Sequence, residues 1–575
     1  MSRGAATGAR PPAVTLSIPD RGKIRVKSDA AQRPPAALTR LCDGAALACL
    51  AGLAIVAALV FRDYGLGWDD YTHSQYGDLL LSLYGSGFRD QRALSFVNLY
   101  MYGGGFDMLA ALVAKLLPFD LFETRRLVGA LVGILGIAVT WRLARRLAGP
   151  VSGPVAGLAA LILLAATPMY FGHMFMNPKD APFAVAMVIF LLALVHVVQS
   201  YPRPSPAIIA CTGAAFGLVL GTRILGLIAG LFVLPALILL VVADIRATAL
   251  RPALARFGRF VLVMLPALPI AYLVMGLLWP WSVLEPLNPI YAVEYFAHFF
   301  EKPWKEMYEG ALISVPDMPA SYVPRLLALK LPEVVIVFGL AGIIGTLAVL
   351  PRARLPARQR AGLLLIAGAV VVPVVYAMIS RPALYNGLRH FTFILPPLAA
   401  IGGVAVAAIG TWLSRRSRAA LAGFAALFAI GVSVSVADMV RLHPYQYAHF
   451  NWLAGGVRGA DANYMLDYWG LAFKQATGDL NAFLKARNEQ PPPDRGAWTV
   501  AVCGPQRVAE VELGPKFKTT AEPRGADFAL ALGEFYCRMI NAPVIAQVVR
   551  DGVVFATIYD LRGRTVDDLL TLPPP

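Results

Sequence analysis

The sequence predicts an α-helical polytopic membrane protein of about eleven spans followed by a small extracytoplasmic α/β domain. Three observations lead there. Apolar runs of about 18–22 residues recur along the chain, long enough to cross a hydrocarbon core as helices. They do so in a chain of 575 residues that is 58% hydrophobic and 15% charged, with mean hydropathy +0.62. Arg-rich clusters fall at every second connection between these runs, the alternation expected when basic loops stay on the cytoplasmic side. From about residue 438 the hydrophobic runs shorten to strand length. The net charge of +16 is spread over the connecting clusters, so it reads as a topology signal and not as a nucleic-acid surface.

Taken in order, residues 1–41 are rich in Pro, Ala and basic residues without an apolar period, and read as a disordered cytoplasmic tail. Residues 42–437 form the transmembrane domain. Its spans are expected over 45–61, 126–147, 151–170, 181–198, 207–220 and 225–242, then 260–279, a span ending before Arg352, 362–379, 391–412 and 419–437. Arg142, Arg145 and Arg146 close the second span, and Arg246, Arg251, Arg256 and Arg259 precede the seventh. Arg352, Arg354, Arg358 and Arg360 follow the eighth, and Arg415, Arg416 and Arg418 follow the tenth. These ends are cytoplasmic, which leaves 62–123, 171–180, 280–333 and 380–390 as outer loops, with the N-terminus inside and the C-terminal domain outside. The stretch 100–119 is apolar over 109–117 but short, and a full span there would invert every later cluster. It reads as a juxtamembrane or re-entrant helix.

Residues 438–575 read as the extracytoplasmic α/β domain. A helix-like 469–487 precedes Pro491-Pro492-Pro493, and strands are expected at 498–502, 528–532, 544–549 and 553–559. Cys503 and Cys537 both fall here, where a disulfide is permitted, although two cysteines can also simply be buried.

Topology sorts the unusual polar residues. Asp69, Asp70 and His73 lie in the first outer loop, within Gly67-Trp68-Asp69-Asp70-Tyr71-Thr72-His73. Lys179 and Asp180 end the second, Arg223 sits in a tight outer turn, and Arg381, Arg389 and His390 lie in the last. One such charge at a membrane boundary is commonly a helix cap or a snorkelling anchor, and Asp70, Asp180 and Lys179 each admit that reading. Several from separate connections in one layer point to a shared polar cavity. Carboxylates can take a proton from a hydroxyl, while Arg and Lys can hold a phosphate and stabilise its departure. Such a mixture at a bilayer edge suits a lipid-phosphate substrate. His73, His173 and His390 show no HxxxH or HxH spacing, so no metal site is assigned, and no phosphate-binding glycine loop or nucleophile elbow is present.

The acidic pair Asp69-Asp70 after the first span, Thr167-Pro168 with Asn177-Pro178-Lys179-Asp180 after the third, and Arg389-His390-Phe391 with Pro396-Pro397 opening a late span together form a pattern. Over about residues 45–400 it resembles the GT-C superfamily of membrane glycosyltransferases, in the branch of protein O-mannosyltransferases and lipid A aminoarabinose transferases. Asp70 stands where that branch usually carries Glu, and His390 where it carries Tyr, which leaves the sugar open. The resemblance implies a GT-C-like fold and an inverting transfer of a sugar from a polyprenyl-phosphate donor to an acceptor hydroxyl (lipid, glycan or protein) on the outer face. It implies Asp69 as general base, with Asp70 or Asp180 orienting base or acceptor, and Lys179, Arg223, Arg389 and His390 holding the donor phosphate. Tyr71, Trp281, Tyr322 and Tyr385 would line the substrate groove. No cofactor is implied, a metal requirement is undefined, and the partners are the lipid-linked donor, the acceptor and membrane lipids. The expected location is a bacterial cytoplasmic (inner) membrane. The competing class is a lipid or glycan transporter whose path the same charges line.

Overall fold

The computed structural model describes residues 36–297, 304–352, 355–537 and 539–565. Most of the tail expected over 1–41 lies outside the described residues. Ala36, however, already opens the first helix, Ala36–Val60, which therefore starts earlier than the apolar run alone suggested.

Among the described residues, eight helices are long and apolar enough to cross a membrane: Ala36–Val60, Leu121–Ala165, Asp180–Ser200, Ile224–Ala247, Leu250–Leu278, Ala357–Ser380, Arg389–Ser414 and Arg418–Arg441. Leu121–Ala165 is in fact two of them. Gly149 breaks its helical path at φ 75, a left-handed conformation that favours glycine, and Pro150 restarts the helix in the position proline tolerates. The chain then doubles back. A Cβ on Gly153 would lie 2.5 Å from the Arg145 carbonyl oxygen, and the Tyr170 hydroxyl donates to the Gly133 carbonyl at 2.9 Å. The shorter apolar helices Pro206–Leu220 and Glu333–Val349 stand where two further spans were expected. Eleven apolar passes result among the described residues, and the chain is an integral membrane protein. Gly105–Ala114 is a helix of 10 residues, about 15 Å long, roughly half the thickness of a hydrocarbon core.

The centre of the bundle is the Leu121–Ala165 hairpin against Leu395–Ser414. The buried face of the latter carries Ala399, Ala400, Gly402 and Gly403, whose small side chains let the two backbones approach. Above the bundle, the segment after residue 280 forms a short hairpin, β1 (Lys305–Tyr308) and β2 (Ala311–Ser314). The C-terminal domain holds β3 (Trp498–Cys503), β4 (Phe517–Thr520), β5 (Phe528–Leu532), β6 (Val544–Arg550) and β7 (Val553–Asp560) in the order β4-β3-β5-β7-β6. β3 runs parallel to β4 and β5, and β7 runs antiparallel to β5 and β6. The four strands expected from sequence are within one residue of those observed. β4 escaped notice because Phe-Lys-Thr-Thr has no apolar run; edge pairing to β3 makes it a strand. The expected helix 469–487 begins only at Ala472, because residues 467–471 are engaged at the site described below.

Cys503, at the end of β3, is disulfide-bonded to Cys537, beyond β5, with Cα atoms 5.6 Å apart. Replacing both by Ala is expected to cost the domain on the order of 2–4 kcal/mol through the added freedom of the unfolded loop. A lower denaturant midpoint for loss of the sheet would show it.

Candidate active site

The loop after the first helix divides two adjacent aspartates between opposite surroundings. Asp70 starts the helix Asp70–Gly85 and is buried. Its Oδ2 accepts from the Gly67 backbone N–H at 2.8 Å and from Arg126 Nη2 at 2.9 Å, and its Oδ1 lies 3.8 Å from Arg125 Nε. Arg125 also reaches Asp107 at 2.7 Å, and Asp107 in turn holds His73 Nδ1 at 2.6 Å. This is an ionic lattice beneath the loop: two buried arginines, two buried carboxylates and an imidazole. Its partners satisfy charges that would otherwise be costly so far from water.

Asp69, one residue earlier, makes no side-chain cap to that helix and keeps its side chain 28% exposed. Its Oδ2 lies 3.5 Å from Lys179 Nζ and 3.4 Å from Arg389 Nη1. Burial pushes this carboxyl up, but the neighbouring Lys179 and Arg389 charges outweigh it and bring it down to about 2.

Arg389 is shared. The same Nη1 that faces Asp69 stands 3.6 Å from Asp180 Oδ2, while Asp180 Oδ1 takes Arg223 Nη1 at 2.6 Å. Asp180 has its carboxylate free for this because Asn177 does the capping. The Asn177 Oδ1 accepts from the backbone N–H groups of Lys179 and Asp180 at 3.0 and 2.7 Å. The Asn177 amide nitrogen donates to Asp180 Oδ2 at 3.0 Å and lies 3.1 Å from His173 Nδ1. Burial pushes His173 down to about 3, so the ring is neutral, and its Nε2 sits 3.2 Å from the Tyr468 hydroxyl.

Aromatic rings complete the cation layer. Tyr102 lies under Lys179 and Arg223, at 4.8 and 5.7 Å from its centroid. Tyr385 and Trp469 lie against Arg389, at 4.7 and 5.3 Å. Trp469 comes from the C-terminal domain and is held by Asp467, whose carboxylate accepts from the Leu471 and Ala472 backbone N–H groups at 3.0 and 2.9 Å. Burial pushes Asp467 up to about 7. Gly67 is a required glycine, since a Cβ there would come within 2.7 Å of the Trp469 ring.

A cavity of about 360 Å3 opens over Asp69 and Lys179. Tyr71, Tyr102 and Tyr385 line it, and Pro505 to Val508 of the C-terminal domain form its far wall. The structure thus brings Asp69, Lys179, Asp180, Arg223 and Arg389 into one constellation, with His390 beside Tyr385 at 5.0 Å between ring centroids. It does not bring Asp70 to the cavity, because both of its oxygens are turned into the ionic lattice. Tyr322 is also away from it: buried, it donates to Glu306 Oε1 at 2.9 Å, and Glu306 accepts from the Asn386 and Gly387 backbone N–H groups. Trp281 packs on Tyr100 and Trp279 outside the cavity lining. Sequence reasoning passed over Arg125 and Arg126. Their signal was present: two arginines at the end of an apolar span away from its Arg142, Arg145 and Arg146 cluster, where the charge rule expects none. Tyr102 and Trp469 gave no such signal, being aromatics brought in from elsewhere in the chain. Among the described residues, no three His, Cys, Asp or Glu side chains gather as a metal site.

Residues 105–273 match the protein family described as Dolichyl-phosphate-mannose-protein mannosyltransferase. That segment holds Lys179, Asp180 and Arg223, while Asp69 and Arg389 lie to either side of it. The comparison with curated proteins finds no match. Among solved structures, ArnT from Cupriavidus metallidurans bound to undecaprenyl phosphate is similar at 16% identity and TM-score 0.47, over 92% of this chain and 99% of that one. The Archaeoglobus fulgidus oligosaccharyltransferase in its apo form is similar at 14% identity and TM-score 0.43, over 81% and 64%. AglB of the same organism, in complex with an inhibitory peptide and a dolichol-phosphate, follows at 11% and 0.39, over 84% and 69%. The family similarity thus falls on the membrane part of the chain. Within it, the segment 105–273 carries the mannosyltransferase resemblance read from the sequence.

The two aspartates are expected to respond differently to substitution. Asp70→Ala leaves Arg126 buried without its carboxylate and should cost on the order of 3–5 kcal/mol, seen as a lower melting temperature in detergent. Asp69→Asn, at a partly exposed carboxyl, should lower it far less; equal losses would contradict the division.

Proposed function

We propose that the protein transfers a sugar from a polyprenyl-phosphate donor to an acceptor hydroxyl on the outer face of a bacterial cytoplasmic membrane, with inversion at the sugar carbon. The carrying observation is the position of Asp69: a partly exposed carboxylate at the cavity, 3.5 Å from Lys179 and 3.4 Å from Arg389. In this reading the donor phosphate enters among Lys179, Arg223 and Arg389. Three cations face two carboxylates there, which leaves the layer one charge positive before the donor arrives.

The acceptor hydroxyl loses its proton to Asp69 as its oxygen attacks the anomeric carbon from the side opposite the phosphate. The bond from that carbon to the phosphate oxygen breaks, and polyprenyl phosphate leaves. The donor is a phosphodiester with one negative charge, and the departing monoester gains a second. Cations held in place before the reaction therefore stabilise the transition state more than the ground state. Arg389 has a further part. When the donor phosphate engages Lys179 and Arg389, Asp69 loses part of the attraction that holds its carboxyl low, and it becomes a better base at the moment the substrate is bound. Asp180 is proposed to aim Arg223 and Arg389, and the cations on the chain supply the charge stabilisation without a cofactor. The cavity wall from Pro505 to Val508 is proposed to face the acceptor. The domain reading, with a membrane part to residue 437 and an outer domain from 438, accompanies this orientation.

Incubating the purified protein with polyprenyl-phosphate sugars and an acceptor should release polyprenyl phosphate, and Asp69→Asn should reduce release by about 10³-fold or more. Uptake of intact donor without cleavage would sink the enzyme reading. The pH dependence has a definite sign. A carboxyl lowered to about 2 in the folded protein is ionised at all ordinary pH and limits kcat/KM only below it. Lys179→Met removes a cation that lowers it, so the acid limb of kcat/KM should move to higher pH.

A further inference from the structure

A second hollow, of about 980 Å3, lies at the end of the bundle opposite the candidate active site, and the proposed transfer makes no use of it. The helix between them sets the separation. Asp180 opens Asp180–Ser200 and Gln199 nearly closes it, and at about 1.5 Å per residue the two ends stand roughly 30 Å apart.

Three parts of the chain bring polar groups to this hollow. Arg142, Arg145 and Arg146 come from the pass that ends at the Gly149 turn, His196 and Gln199 from the close of Asp180–Ser200, and Arg358 from the start of Ala357–Ser380. Arg145 and Arg146 each neighbour Arg142 on the helix surface, three and four residues on from it. Arg145 pairs with Asp43, and Arg146 Nε donates to the Gln199 side-chain oxygen at 2.6 Å. Among the described residues, Arg142 and Arg358 have no carboxylate partner and no Asp or Glu lines the hollow. Four guanidinium groups thus face one concave space, with a single carboxylate to offset them. Retention of basic loops on one side of a membrane requires only that the charges be there, as the exposed Arg415, Arg416 and Arg418 are. It does not require charges from separate helices to converge on a hollow.

We infer that this hollow binds the phosphate of an anionic phospholipid headgroup in the leaflet opposite the transfer site. Guanidinium forks match phosphate oxygens in geometry and charge. Basic pockets between membrane helices at headgroup level suit acidic lipids. A lipid held there ties the Gly149 turn to two neighbouring helices and so fastens the central hairpin at the end away from the chemistry.

The test places the full-length protein in phosphatidylcholine nanodiscs with or without phosphatidylglycerol, reading the melting temperature and the phosphatidylglycerol retained after exchange. Phosphatidylglycerol should raise the melting temperature of the wild type and be retained. The variant Arg142→Gln, Arg146→Gln, Arg358→Gln should retain it about tenfold less tightly or worse. Arg415→Gln, Arg416→Gln, Arg418→Gln removes the same charge from the same side and should behave as wild type. Equal loss in both variants, or none in the first, overturns the site. Stabilisation by inorganic phosphate alone, equal to that by phosphatidylglycerol, overturns the lipid as its source. Should the first variant fail to fold in phosphatidylcholine, Arg358→Gln alone, at an exposed position, is read against the same control.

Discussion

The site depends on Arg389, a buried guanidinium shared between two carboxylates that belong to distant segments. Its Nη1 stands 3.4 Å from Asp69 and 3.6 Å from Asp180. An isolated charge at this depth would be costly, and the buried Asp180 at the start of the Asp180–Ser200 helix supplies its counter-charge, while the partly exposed Asp69 adds a second. Both contacts belong to the geometry that the proposed reaction uses. In the proposed reaction the donor phosphate would take up the attraction that Asp69 supplies.

Around that centre the structure separates rigid charge from available charge. The lattice of Asp70, Asp107, His73, Arg125 and Arg126 pairs buried charges and anchors the loop to the bundle. Asp69, adjacent in sequence, is left facing the cavity because the helix begins at Asp70 and turns the two side chains apart. The C-terminal domain takes part as well. Asp467 fixes the backbone after Trp469, Trp469 lies under Arg389, and Tyr468 reaches His173, which continues through Asn177 to Asp180. A domain that looks separate in sequence is thus one support of the cation layer.

Much of the fold was legible because membrane insertion writes itself into local sequence. The apolar runs, the arginine clusters at alternate connections and the short strands after residue 438 each reflect a local requirement. Lys179, Asp180, Arg223 and Arg389 were legible for a related reason: charges at the ends of apolar spans are rare enough to stand out. The groove aromatics were harder to read. Tyr71 and Tyr385 line the cavity, whereas Tyr322 serves to hold Glu306 and Trp281 packs elsewhere, and nothing local distinguishes a ring that lines a cavity from one that fills a core.

By itself, then, the sequence determined the class of fold, the number and approximate place of the apolar passes, and the charged residues that one membrane boundary brings to a common level. Hydrophobic length and charge bias are properties of contiguous residues, and they act before any tertiary contact forms. Only the tertiary structure decided which of two neighbouring aspartates faces the cavity, that Arg125 and Arg126 bury the other, and that Tyr102 and Trp469 flank the cations. Each of those depends on segments far apart in the chain meeting at Ångström distances, where partner geometry and desolvation choose between side chains that are alike in sequence.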